Sequence, residues 1–508
     1  MIEIEALRYT YPEAKQSSLE RVDLRIGTGE RVVLAGVSGS GKSTLLRVVN
    51  GLVPHFYGGR FGGRALVGGV DTRDSSPHGL AAHVGTVFQD LPARFLTGSV
   101  EDEIGFSLEV ARVEARRIPA RVAQIAERMG VSTLAGRRLE RLSAGEQARL
   151  AIAAAAARRP RVLLLDEPVT HIDPAGAQAV VEWVRQLSLE DAVTVVVAEH
   201  RLDAWQGIAD RVVRLELGGV LAGSGQSSSG DEEGPELDQI VASPAPAALS
   251  ARSVRLTLGG VGILQGIDID IRPGELLALV GRNGSGKTTL LRCMIGLTRP
   301  EAGEISLNGK SIDGRSVSET ARTIGYVPQA PSSMLFADTV ADEVGLTLGS
   351  RGESDTPSDR ARWLAAFGLS ALAGRYPRDL SAGERQRLAL AAVLAGRPSV
   401  VLLDEPTLGM DRRRMVWLGR GLEGLRRAGC AIVVATHDAA FVAEYATRAV
   451  LLAAGRIAAE GKPGPVLGAD PAFAGALARW RAAAAGGERR SEDLSAEVER
   501  MGRTDAHH

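Results

Sequence analysis

Two lysines stand out among the residues whose type and spacing could do chemistry. Lys42 lies in the run GVSGSGKST at 36–44, and Lys287 lies in GRNGSGKTT at 281–289. A loop of the form G-x-x-x-x-G-K-[ST] needs its glycines so that backbone N–H groups can turn inward around a β-phosphate. The positive end of the following helix stands behind them. Gly36, Gly39, Ser40, Gly41 and Thr44 are the candidate binding residues of the first loop, with Gly281, Gly284, Ser285, Gly286 and Thr289 in the second. Lys42 and Lys287 are placed to reach the β- and γ-phosphates, and Ser43 and Thr288 to ligate Mg²⁺. Lysine occurs only at Lys15, Lys42, Lys287, Lys310 and Lys462, while arginine carries nearly all the remaining positive charge. Its retention in both loops points to a need for a compact ammonium. A chance glycine-rich turn is the bland alternative, and a matched second copy leaves it little weight.

Further chemistry recurs at matched distances. Asp166-Glu167 closes VLLLDEP at 162–168, and Asp404-Glu405 closes VVLLDEP at 400–406. An aspartate at the end of such a strand can hold the Mg²⁺ shell, and the next glutamate can polarise water against a γ-phosphate. His200 ends VVVAEH and His437 ends IVVATH. A lone histidine is more often packed or solvated than catalytic, but the offset of 33 residues from Glu167 and of 32 from Glu405 reverses that weighting. Gln89, in TVFQD, and Gln329, in YVPQA, are candidates to reach Mg²⁺ and the attacking water. The run LSAGE appears at 142–146 and again at 380–384, each serine 24 residues before its glutamate.

Spacing held over four separate motifs makes the chain two copies of one domain. The expected bounds are 1–222 and 251–468, joined by a Gly-, Ser-, Pro- and acid-rich linker at 223–250, with a partly helical or frayed tail at 469–508. Each phosphate loop follows an apolar run (Val32 to Ala35, Leu276 to Val280) and precedes an apolar-periodic one, which is strand, loop, helix. The continuous apolar runs at 162–165, 193–198, 400–403 and 431–435 suit parallel strands buried on both faces. Ser99-Val-Glu-Asp102 and Thr339-Val-Ala-Asp342 resemble helix-opening caps and predict a helical insert in each half.

The bulk numbers set bounds. A chain of 508 residues exceeds one hydrophobic core. Aromatics are 4% and net charge is −1, unlike a protein that grips many nucleic-acid phosphates. Cys293 and Cys430 are too few for a disulfide scaffold. MIEIEALRYTYP has no basic stretch followed by an apolar run, so no signal peptide is expected, and no apolar run approaches the length of a membrane span.

The motif set resembles the Walker A, Q-loop, signature, Walker B and switch-histidine elements of ATP-binding-cassette (ABC) proteins, in both halves. The resemblance implies an α/β fold: two P-loop NTPase nucleotide-binding domains in tandem, each with a mainly parallel sheet core, an antiparallel β subdomain and a helical subdomain. It implies ATP hydrolysis with ATP and Mg²⁺ as cofactors. In that family the signature of one half completes the site of the other. Ser381 and Gly383 would then face the nucleotide held by Lys42, and Ser143 and Gly145 the one held by Lys287, in an intramolecular pseudo-dimer. The D-loops would be Thr170-His171-Ile172-Asp173 and Leu408-Gly409-Met410-Asp411, with His171 read as a tolerated surface residue. The usual signature is LSGGQ, and both copies here depart from it. The adenine-stacking aromatic resembles Tyr11 in the first half, while the matching place in the second holds Leu258.

Three stretches narrow the resemblance. FQDLPARFLTGSVEDEIGFSLE at 88–109, NGLVPHFYGGRFGG at 50–63 and VVVAEHRLD at 195–203 are similar to ATPases of energy-coupling-factor (ECF) transporters, although the glutamine usual near Arg94 is absent. Such proteins bind a long-helix transmembrane coupling protein and a small membrane substrate-capture protein. They import vitamins, vitamin precursors, or cobalt and nickel. The resemblance places the chain peripherally at the cytoplasmic face of the cell membrane, with coupling helices docked near 89–106 and 329–346 and no nucleic-acid partner. Two alternatives stay open: the tandem motor of another importer, such as a monosaccharide transporter, and a soluble cassette protein acting on ribosomes or DNA. The first often has one degraded site, and the second a long charged connector or a basic arm. Here both sites keep Lys, Asp, Glu and His, and the connector is short and acidic.

Overall fold

The computed structural model describes residues 1–14, 16–37, 39–89, 95–170, 172–200, 202–216, 219–220, 248–350 and 355–481. Arg94, His171, most of the expected linker and the end of the tail lie outside the described residues. The chain divides into two units, Met1–Gly230 and Asp231–His508.

In the first unit the strands are β1 (Ile2–Thr10), β2 (Leu19–Ile26), β3 (Arg31–Ala35), β4 (Arg60–Val67), β5 (Val70–Asp71), β6 (Val84–Val87), β7 (Val162–Asp166), β8 (Thr194–Ala198), β9 (Arg211–Glu216) and β10 (Gly219–Val220). They form two sheets. The antiparallel one has the order β2-β1-β4-β5, and the larger one β6-β7-β8-β3-β9-β10. In the larger sheet only the β9–β10 pair is antiparallel. The burial patterns give the reason. Every residue of β7 and of β8 is buried, as a strand covered on both faces requires, whereas β2 alternates between core and solvent.

The second unit repeats this plan with β11 (Leu249–Leu258), β12 (Val261–Ile271), β13 (Leu276–Val280), β14 (Ala302–Leu307), β15 (Lys310–Ser311), β16 (Ile324–Val327), β17 (Val400–Asp404), β18 (Ala431–Thr436), β19 (Arg448–Ala453) and β20 (Arg456–Gly461). The sheet orders are β12-β11-β14-β15 and β16-β17-β18-β13-β19-β20. In both units β-strands 3 and 13 sit mid-sheet, so the loop after each emerges at the carboxyl edge between its neighbours, where ligands bind in open α/β sheets.

The helical insert is present in both units. Helices Val100–Val110 and Ile118–Arg128 pack in the first, and Val340–Ser350 and Pro357–Ala366 in the second. Ser99 Oγ accepts from Asp102 N at 3.2 Å, and Thr339 Oγ1 accepts from Asp342 N at 3.0 Å, so both expected caps form. Val100, Ile104, Leu108 and Val122 join one core with Leu163 and Leu165 of β7, tying the insert to the strand that ends in Asp166. The stretch 471–481, assigned by sequence to the tail, is helical. Its Phe473, Ala476 and Leu477 are buried with Ala278, Val280, Val442 and Ala449. Both cysteines are buried free thiols, and burial pushes Cys293 up to about 11 and Cys430 up to about 12. Among the described residues no helix is long and apolar enough to cross a membrane.

Candidate functional site

Each glycine loop connects a mid-sheet strand to a helix, β3 to Lys42–Val49 and β13 to Lys287–Ile295. Gly41 (φ 96°) and Gly286 (φ 104°) cap those helices in the left-handed region, where a residue with a Cβ would be strained. The loops also close on themselves. A Cβ at Gly36 would collide with the Leu215 carbonyl oxygen and Ser40 Oγ, and one at Gly281 with the Leu452 carbonyl oxygen and Ser285 Oγ.

The lysines are buried beneath these loops. Lys42 Nζ donates to the carbonyls of Gly36 (2.7 Å) and Val37 (3.1 Å), and Lys287 Nζ to those of Gly281 (2.8 Å) and Arg282 (3.3 Å). Ser40 Oγ and Ser285 Oγ are buried with no hydrogen-bond partner among the described residues. A buried polar atom without a partner carries a penalty of about 1–3 kcal/mol, and here two occur at equivalent places in equivalent loops. Together with the inward lysine and the Cβ-free cradle, they fit a bound phosphate chain.

The next residue of each loop reaches the strand-end acid. Ser43 Oγ donates to Asp166 Oδ1 and Thr288 Oγ1 to Asp404 Oδ1, both at 3.0 Å. Hydroxyl and carboxylate thus converge in each unit on the spot where Mg²⁺ is expected, and these donors are oxygens, as that hard cation requires. Burial pushes Asp166 up to about 6 against the pull of the Ser43 hydrogen bond, and it raises Asp404 as well. A group that gains a proton so readily in the fold is one a divalent cation could hold ionised.

Glu167 and Glu405 adopt φ values of 51° and 49°, uncommon for residues with a side chain. Their backbone N–H groups donate to the Ala198 and Ala435 carbonyls at 2.9 and 2.8 Å, which fixes the turn. That turn brings each carboxylate to its histidine. His200 Nε2 lies 3.0 Å from Glu167 Oε1, and His437 Nδ1 lies 2.9 Å from Glu405 Oε2. Burial pushes both carboxyls up, but the histidines and loop lysines outweigh it and hold them below the ordinary range. Lys287 Nζ is 3.6 Å from Glu405 Oε1. Each pair therefore holds a carboxylate ionised, ready to accept a proton from water.

The glutamines differ between units. Gln89 Nε2 donates to Glu167 Oε2 at 2.9 Å. Gln329 is exposed after β16 and makes no side-chain hydrogen bond among the described residues. Thr170 Oγ1 also donates to Glu167 Oε2, at 3.3 Å. Sequence reasoning placed Thr170 only in the D-loop, yet its spacing of three from the glutamate is what a one-turn contact needs.

Ser143 and Ser381 cap the helices Ala144–Ala156 and Ala382–Ala395. Glu146 and Glu384 return the bond to the serine N–H groups at 2.8 and 2.7 Å, closing a capping box at each signature. The glutamate that departs from the usual LSGGQ is thereby explained, and the S-x-x-E pattern was legible in the sequence. Gly145 and Gly383 lie in the first turns of those helices.

Tyr11 is partly buried in the first unit. Its hydroxyl receives Arg47 Nη1 at 2.8 Å and lies 3.3 Å from Thr44 Oγ1, beside the phosphate loop. Tyr9 and Tyr57 meet its ring edge-on. Leu258 is half exposed at the end of β11.

Comparison with known proteins settles the family. The ABC transporter family profile matches residues 19–170 and 264–408, one stretch in each unit. This chain belongs to the ABC transporter family. A protein of Streptomyces avermitilis, provisionally described as an ABC transporter ATP-binding protein, is 36% identical, across 93% of this chain and 96% of its own length. One of Methanosarcina acetivorans with the same description is 33% identical, across 91% of this chain and 85% of its own length. Among solved structures, one described as RNase-L Inhibitor covers 91% of this chain and 92% of its own length at 20% identity and a TM-score of 0.62, which is a likeness of fold. The chain is therefore a tandem ABC ATPase that uses ATP and Mg²⁺.

Proposed function

We propose that this ABC ATPase is the motor of an ECF-type importer, taking up a vitamin, a vitamin precursor, or cobalt or nickel. It would act at the cytoplasmic face of the cell membrane, bound to a transmembrane coupling protein and a small substrate-capture protein. Its nucleotide-binding domains span 1–222 and 251–468 in this reading. Lys42, Lys287 and their loop amides bind phosphate, while Ser43, Asp166, Thr288 and Asp404, with Gln89 and Gln329, hold Mg²⁺. Ser381 and Gly383 complete the first site, and Ser143 and Gly145 the second. Bound Mg²⁺–ATP supplies the polarised γ-phosphate. Glu167 and Glu405 accept the proton of the attacking water, and His200 and His437 keep those carboxylates ionised and aimed.

The observation that carries this reading is a groove in the helical insert of the first unit. The groove has a volume of about 830 Å³ and runs between the helices Val100–Val110 and Ile118–Arg128. Phe106, Ile118 and Val122 line it, together with the carboxylates Glu101, Asp102, Glu109 and Glu127, and among the described residues no basic side chain does. It suits a partner helix with an apolar stripe and a basic edge. Nucleotide can move a partner seated there only by binding one state more tightly than the other. Affinity capture from native membranes should recover a polytopic protein with the chain; recovery of ribosomes in its place would overturn the proposal.

The two sites should also differ in grip. Stacking on an aromatic ring is worth about 1–3 kcal/mol per base. With the second site silenced by Lys287→Ala, Tyr11→Leu should weaken nucleotide binding by about 5- to 150-fold on that basis. With the first silenced by Lys42→Ala, Leu258→Tyr should tighten it. Titration with a fluorescent ATP analogue reads both, and unchanged affinity in both would remove Tyr11 from the adenine site.

A further inference from the structure

The two halves carry different chemistry at the place where a partner helix would dock. Matching their Val-x-Asp-Glu and Leu-Ser-Ala-Gly-Glu runs sets Asp102 against Asp342, and Glu101, Glu109 and Glu127 against Ala341, Gly349 and Ala365. The same match sets Val122 against Arg360. Only one of the four carboxylates of the first groove survives in the second half, and an arginine has appeared beside it.

The geometry shows what that arginine does. In the first half Gly105 faces Val122 and Ile118 at ordinary contact distance; a Cβ there would lie 3.8 and 3.7 Å from their methyl groups. In the second half a Cβ at Gly345 would collide with the guanidinium of Arg360, which lies flat over the helix Val340–Ser350. Arg360 Nη1 donates to Asp342 Oδ1 at 2.6 Å, while Nε and Nη2 form a fork on the two oxygens of Asp355 at 2.6 and 2.7 Å. The carboxylate that remains in this half is already satisfied.

We propose that Arg360 is a resident occupant of the second half's docking surface, closing it to a basic-edged helix and leaving the first-half groove as the one that accepts it. The inference rests on the docking role assigned above to that groove. It makes Arg360 a specificity-determining residue: the chain reads its membrane partner in one orientation, with the basic helix on the first half and a helix lacking such a cation on the second. Charge complementarity supports the choice, because the four carboxylates of the first groove carry no ion pair among the described residues, whereas Asp342 and Asp355 are already taken up by Arg360 and have little left to offer an incoming cation. A purely structural ion pair is the competing view. Arg360 is only 27% exposed and forks on Asp355, so the pair is stronger than an isolated surface one, and it is the peptide count of the variants below that separates the two views.

The test uses the full chain and a synthetic amphipathic helical peptide with arginines along its polar edge. A second peptide carries citrulline in place of arginine, removing the charge at nearly constant shape. Calorimetric titration of the wild type should give about one site per chain, lost with the citrulline peptide or at high salt. Arg360→Val, which restores the first half's residue, should raise the count to about two, and Arg360→Gln should do so if valine disturbs the helix. A wild-type count of two, or a count still at one in both variants, would overturn the proposal while leaving the groove a docking site. A wild type that binds neither peptide would remove the docking role itself, and this inference with it.

Discussion

Replacing both Glu167 and Glu405 with glutamine lowers ATP turnover by about 100- to 10,000-fold, the range that a positioned general base contributes. Glutamine keeps the side-chain length and a hydrogen-bonding oxygen for His200 or His437, so the change isolates the loss of a proton acceptor. It also keeps the backbone problem unchanged. The left-handed region costs a side-chain-bearing residue about 1–2 kcal/mol, and Gln meets that cost as Glu does. Nucleotide binding should persist, because Lys42, Lys287 and the loop amides are untouched. Each single variant should lose the share of its own site. Steady-state phosphate release alongside nucleotide titration separates the two effects, and a double variant that still turns over at the wild-type rate would contradict the assigned role of both carboxylates.

Phe473→Ala should remove about 3–5 kcal/mol from the second unit, the usual loss when a fully buried phenylalanine is truncated. Phe473 is wholly buried against Ala278 and Val280 of β13, Val442 of the helix Ala439–Tyr445 and Ala449 of β19. The strand β13 leads straight into the phosphate loop, so loosening its support bears on the loop as well. In a two-unit chain the effect should fall on one transition only. Its midpoint should drop by about 2–4 °C for each kcal/mol lost, while Phe473→Leu, which keeps most of the buried area, should shift it far less. Equal shifts of both transitions, or none, would show that the helix 471–481 is not part of the second unit's core.

The parts of this protein that sequence revealed are those where chemistry dictates residue type. A phosphate loop tolerates only glycine where the Leu215 and Leu452 carbonyls press against it, so Gly36 and Gly281 were legible. Continuous apolar runs gave β7, β8, β17 and β18, because a strand covered on both faces leaves no position for a polar residue. The φ of Glu167 and Glu405 was not legible, since nothing in a glutamate's chemistry announces a left-handed turn; the β7–β8 and β17–β18 pairings impose it. The helix at 471–481 was partly readable. Phe473, Ala476, Leu477 and Trp480 follow helical spacing, but the alanine- and arginine-rich composition around them masked how much they bury. Arg360 was visible only as one arginine among many until the register of two helices placed it over Gly345.

The state of Cys293 and Cys430 bears on how the motor's motion can be observed. Only the thiolate attacks maleimides and disulfides, and these two thiols, sealed in the second unit's interior with their ionisation displaced far above neutrality, present almost none of it. The native chain is thus chemically silent toward thiol labelling near pH 7. One cysteine engineered onto an exposed helix of each half would supply the two reactive points, so paired spectroscopic probes could track the distance between halves through a turnover cycle without first stripping the protein of its own sulfur.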